Sequence, residues 1–83
     1  MPISLIEACR KAHESSKAEG QYGRHGWFTV WDVKRNDPGP QWWGLNCKDL
    51  DVLVAEGLLV EGTRDEALDI GTSARIYRPL AVP

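Results

Sequence analysis

The sequence predicts an α+β fold of three helices and a two- or three-stranded sheet, on three observations. Apolar residues recur at helical spacing through the first 56 positions, with a capping residue ahead of each run. Two β-prone segments lie in the last third of the chain, and Gly57 stands where the last helix must give way to the first of them. A length of 83 residues leaves room for one domain, spanning 1–83 with its core over about 3–80.

Ser4-Leu5-Ile6-Glu7 has the S-x-x-E form of a capping box, in which hydroxyl and carboxylate each satisfy an orphan N–H at a helix start. A helix over 5–19 follows, with Leu5, Ile6, Cys9 and Ala12 on one face, Arg10, Lys11, Glu14 and Lys17 off it, and Gly20 as its stop. Residues 21–26 read as a loop, and Trp27-Phe28 as a short β-prone pair. Thr29-Val30-Trp31-Asp32 offers a second cap, for a short helix over 30–36. Asp37-Pro38-Gly39-Pro40 ends it, since proline lacks an amide donor and turns the residue before it away from helix. The third helix has two possible starts. Pro40 in the first helical position gives a helix over 41–56, the preferred reading, whereas Asn46-Cys47-Lys48-Asp49 as a fresh cap begins it at Cys47. Either way Cys47, Leu50, Leu53 and Val54 share one face. Residues 58–61 and 75–79 read as strands, joined by a polar loop over 62–74 that is too long for a tight hairpin.

Hydrophobic residues at 42% and charged residues at 27% exclude a disordered or collagenous chain. No apolar run is long enough to span a bilayer, and no signal-peptide pattern opens the sequence, so the expected location is the cytoplasm, with no membrane partner. Cys9 and Cys47 show no CxxC spacing and read as small buried hydrophobes. The net charge of −2 is not the footprint of a general nucleic-acid binder. Its distribution is uneven: residues 1–48 hold seven basic and five acidic side chains, residues 49–83 three and seven. An anionic partner is expected to meet the first half.

The element order resembles a winged helix-turn-helix domain of the small bacterial or phage type, over about residues 3–80. Leu50-x-x-Leu53-x-x-x-Gly57-Leu58-Leu59 is similar to the end of a recognition helix running into the first wing strand, and Phe28-Thr29-x-x-Asp32-Val33 to the strand and capped second helix before it. The resemblance implies that Leu50 and Leu53 pack on the first two helices and that Leu58 returns to the core. It also implies a homodimeric, transcription-regulating protein that binds double-stranded DNA. Lys34, Arg35, Trp42, Asn46, Lys48 and Arg64 fall at the implied contact surface. Asp49, Asp51 and Glu56 on the same helix, and Asp65, Glu66 and Asp69 around Arg64, would repel phosphate. Their acidity motivates a second reading, a protein-interaction module that docks through Trp42 and Leu45 onto a basic partner.

Trp27, Trp31 and Trp43 are expected in the core, because a small domain has few other large residues to fill it. Trp42 and Trp43 are adjacent and cannot both face it, which leaves Trp42 outside. Of the basic residues, Arg10, Lys11, Lys17 and Arg24 read as a solvated face, while Lys34 and Arg35 precede the turn that approaches DNA in the family. Cys9 and His13 at i, i+4, with His25 and Cys47, are the residue types of a zinc site, but no second pair has ligand spacing, so no metal or other cofactor is expected. No phosphate loop, metal-hydrolase motif or catalytic carboxylate pair is present, and the expectation is a protein that is not an enzyme.

Overall fold

The computed structural model describes residues 4–18 and 25–80. Helix α1, Leu5–Ala18, begins where Ser4 Oγ accepts the Glu7 N–H at 3.4 Å. Its buried stripe, Ala8, Cys9, Ala12 and Ser16, consists of small residues, so helix α2 and the last strand can pack closely on it. Ser16 ends the stripe with a satisfied polar group, its Oγ donating to the Trp27 carbonyl at 2.6 Å. The expected stop at Gly20 and the loop over 21–24, including Arg24, lie outside the described residues.

Helix α2, Val30–Asn36, has the predicted bounds. Its box is reciprocal: the Thr29 N–H donates to Asp32 Oδ2 at 2.9 Å, and the Thr29 side chain meets the N–H three residues on.

The preferred long third helix does not form. Pro40–Trp42 is a 3-10 turn, and helix α3 is Cys47–Ala55, the shorter alternative. Asn46, at φ −143° and ψ 178°, is extended; its Oδ1 accepts the Lys48 N–H and its own N–H donates to Asp49 Oδ2, both at 2.9 Å. Those local hydrogen bonds compete with helix continuation and win.

Gly57 sits at φ +78° and closes α3 with a paired motif: its N–H reaches the Val54 carbonyl, and the Leu58 N–H the Leu53 carbonyl. Leu58 is thereby part of the helix cap and stays partly exposed, so the return to the core falls to Leu59, the first residue of strand β1, Leu59–Glu61. Strand β2, Tyr77–Pro79, pairs antiparallel with β1, Leu59 opposite Pro79 and Glu61 opposite Tyr77. On its other side β2 meets Phe28, with N–H to carbonyl bonds of 2.8 Å in both directions between Phe28 and Tyr77.

The loop over 62–74 contains a further helix, α4, Arg64–Asp69, so the expected three helices become four α-helices among the described residues. Thr63 and Glu66 form its capping box, and Gly71 at φ +81° ends it. The fold is α+β, with four α-helices and a two-stranded antiparallel sheet among the described residues. A main apolar cluster joins α1 and α2 to Phe28, Leu50, Leu59 and Tyr77, and a smaller one, Trp27, Ala67 and Ile76, lies under α4. Among the described residues no helix is long and apolar enough to cross a membrane.

Candidate interaction surface

Helix α2 places Val30 and Val33 inward, and with about 100° per residue this turns Trp31 and Arg35 outward together. Trp31 is 66% exposed, a correction to its expected place in the core. Lys34 Nζ stands 4.9 Å from the centroid of its ring, and Arg35 Nη2 lies 3.2 Å from Asp32 Oδ1. Opposite this face the segment after α4 completes a groove of about 290 Å³, lined by Thr29, Trp31 and Arg35 with Ile70, Gly71 and Thr72, and also by Trp27 and Ala74.

A second constellation ties α3 to the sheet. Arg75 donates to both oxygens of Asp51, at 2.7 and 3.1 Å, and to both oxygens of Glu61, at 2.6 and 3.1 Å. Tyr77 Oη donates to Asp51 Oδ1 at 3.1 Å. The hydrogen bonds to Glu61, then those to Asp51, hold the Arg75 proton more firmly than usual. Burial raises the Tyr77 phenol above its ordinary range. Asp51 is therefore committed within the domain, and Asp49 caps α3.

The sequence-predicted contact residues divide. Arg35 lies on the outer face of α2, Lys34 is half-buried on its flank, and Lys48 is exposed in the first turn of α3. Asn46 is exposed, with its side-chain oxygen occupied as a cap. Arg64 is exposed at the start of α4 and lines a different recess, of about 270 Å³, with Thr63, Leu68 and Arg75. Trp42 and Leu45 do not belong to the surface: they are 9% and 8% exposed. The Trp42 indole N–H donates to Asp37 Oδ2 at 2.6 Å, an anchor that draws the ring inward. Both named anchors of the protein-docking reading are thus core residues. Trp43 takes the outside position, 80% exposed, although it was expected inside.

Sequence reasoning missed Trp31 because it counted aromatic bulk; the helical wheel carried the signal, since Val33 lies about 160° away from it. Cys9 is buried and burial pushes its thiol up to about 12, which leaves almost no thiolate at neutral pH. His13 Nδ1 is spent on the Gly26 carbonyl at 2.8 Å. Among the described residues no three His, Cys, Asp or Glu side chains gather where a metal ion could sit. No family model, curated protein or solved structure matches this chain.

Proposed function

We propose that the chain is a winged helix-turn-helix domain that binds double-stranded DNA and acts in transcription regulation. The observation that carries the reading is the order of the extended segments: Phe28, just ahead of α2, bridges β2 on one side while β1 pairs with it on the other. That order lets a wing hold the helix pair from behind, with α4 as an insertion between its strands. Charge supports the partner. Lys34 and Arg35 at the end of α2 and Lys48 at the start of α3 flank the 37–46 connection from both ends. Of the acids that would oppose phosphate there, Asp51 is neutralised by Arg75, while Asp49 caps α3 and keeps its charge.

The test is fluorescence anisotropy on a pool of random-sequence duplexes between 50 and 200 mM salt, as conditions. Three phosphate contacts lower affinity about 40-fold over that range, a log–log slope of about −2.7. Lys34→Ala with Arg35→Ala removes roughly 1.8 from the slope. Sedimentation of the complex gives its stoichiometry, two chains per duplex being expected. Undetectable or salt-independent binding to the pool sinks the reading.

A further inference from the structure

Helix α2 turns a tryptophan to solvent. Trp31 is 66% exposed, yet it forms one wall of a groove closed on the far side by Ile70, Gly71 and Thr72. Two cations stand beside it: Lys34 Nζ over its ring, and Arg35, whose side chain is 64% exposed. No acidic side chain lines the groove. The Thr29 hydroxyl donates to Asp32 and the Thr72 hydroxyl accepts from the Ala74 N–H, so the groove sets the apolar faces of Trp31 and Ile70 beside polar wall groups.

We propose that this groove between α2 and the segment following α4 is a docking site for an acidic peptide carrying one large apolar side chain. A volume of about 290 Å³ lies at the low end of ligand pockets, enough for one side chain and not for a helix. Trp31 supplies a rigid, wide apolar contact at low entropy cost, which is why tryptophan dominates binding hot spots. Lys34 over the Trp31 ring and Arg35, which shares its charge with Asp32 yet keeps a 64% exposed side chain, attract acids on either side of the inserted residue. Charge complementarity therefore names the peptide. A single nucleic-acid strand is the poorer occupant, because it gains affinity from successive exposed aromatic platforms, and of the two tryptophans that line the groove Trp27 is buried and Trp31 exposed.

The inference is independent of duplex binding, although Lys34 and Arg35 would serve either partner. Trp31→Ala separates the two, since it removes the peptide anchor and leaves those cations in place. The experiment selects a phage-displayed library of random eight-residue peptides on the intact chain, with the Trp31→Ala chain as counter-bait. Enriched peptides are expected to carry acids around one Phe, Leu, Ile or Trp. Their synthetic forms are expected to shift the Trp31 indole and the Gly71 and Thr72 amide resonances, and to bind the Trp31→Ala chain at least tenfold more weakly. Should that variant fail to fold, Lys34→Glu with Arg35→Glu, both at solvent-reaching positions, is expected to give the same loss. No enrichment, enriched peptides without acids, or shifts elsewhere on the surface overturn the proposal. So does an oligo-dT eight nucleotides long that binds the groove more tightly than the selected peptides.

Discussion

Trp42 and Trp43 are consecutive residues with opposite surroundings, and the difference is a single hydrogen bond and a half-turn of backbone. The 3-10 turn directs Trp42 inward, where its N–H meets an Asp37 carboxylate that also lies 3.7 Å from Lys11 Nζ on α1. Trp42→Phe keeps most of the ring but leaves that carboxylate without its indole donor, at a cost of about 1.5–3 kcal/mol. Trp42→Ala adds a cavity and costs about 3–5 kcal/mol. Trp43→Ala, at a position that packs against little, is expected to stay within about 0.5 kcal/mol of the parent. Urea denaturation of the three variants gives this ranking, and equal losses at 42 and 43 would contradict the assignment. At this scale the sequence said that one of the two rings must be outside. Which one followed from the turn, whose geometry no helical or strand period describes.

Capping boxes decide where α2, α3 and α4 begin, through short-range hydrogen bonds that depend on residues three apart. Thr29 and Asp32 were legible in this way, and α2 has the bounds they imply. Asn46 and Asp49 were equally present, but an uninterrupted α3 competed with them. Thr63-Arg64-Asp65-Glu66 carries the same signature, and the polar character of 62–74 hid it. The α4 box has a pH signature. The Thr63 N–H donates to Glu66 Oε1 at 2.9 Å, and the hydrogen bonds with Thr63, backbone first, hold the Glu66 carboxyl below its usual 4.5. The folded value lies below the unfolded one, so the contribution of the box is complete above pH 4.5 and is lost as pH falls through the folded value. Acid titration followed at the Thr63 amide resonance is expected to show α4 fraying in that window, and Glu66→Gln to flatten the curve. A Thr63 amide that titrates alike in both chains would remove the box from the account.

The start of β2 joins the two apolar clusters, because Tyr77 and the preceding Ile76 are consecutive in extended chain and point to opposite faces. Tyr77 enters the main cluster beside Phe28, and Ile76 enters the smaller one beneath α4 with Trp27 and Ala67. The domain is therefore expected to open in two steps. Ile76→Ala is predicted to raise amide hydrogen exchange in α4 well before α1, since its cavity lies in the smaller cluster. Phe28→Ala removes a ring that touches both the helix layer and β2, at about 3–5 kcal/mol in a domain whose total is roughly 5–10 kcal/mol, and exchange is expected to rise everywhere together. Uniform exchange in the Ile76→Ala chain would show a single cooperative unit instead.

Local chemistry in the sequence determined α1 and α2, the glycine that closes α3, the two strands and the fold class, because caps, periods and left-handed glycines act within a few residues. It also marked Arg35 and Lys48 as exposed cations, since charge alone keeps such groups in water. Tertiary structure decided which tryptophans are buried, that Leu59 rather than Leu58 enters the core, and that Arg75 holds Asp51 and Glu61 across 24 and 14 residues of chain. It also built the Trp31 groove, whose walls come from α2 and from residues some 40 positions later. Those outcomes depend on which distant surfaces meet, and no spacing within one segment encodes that meeting.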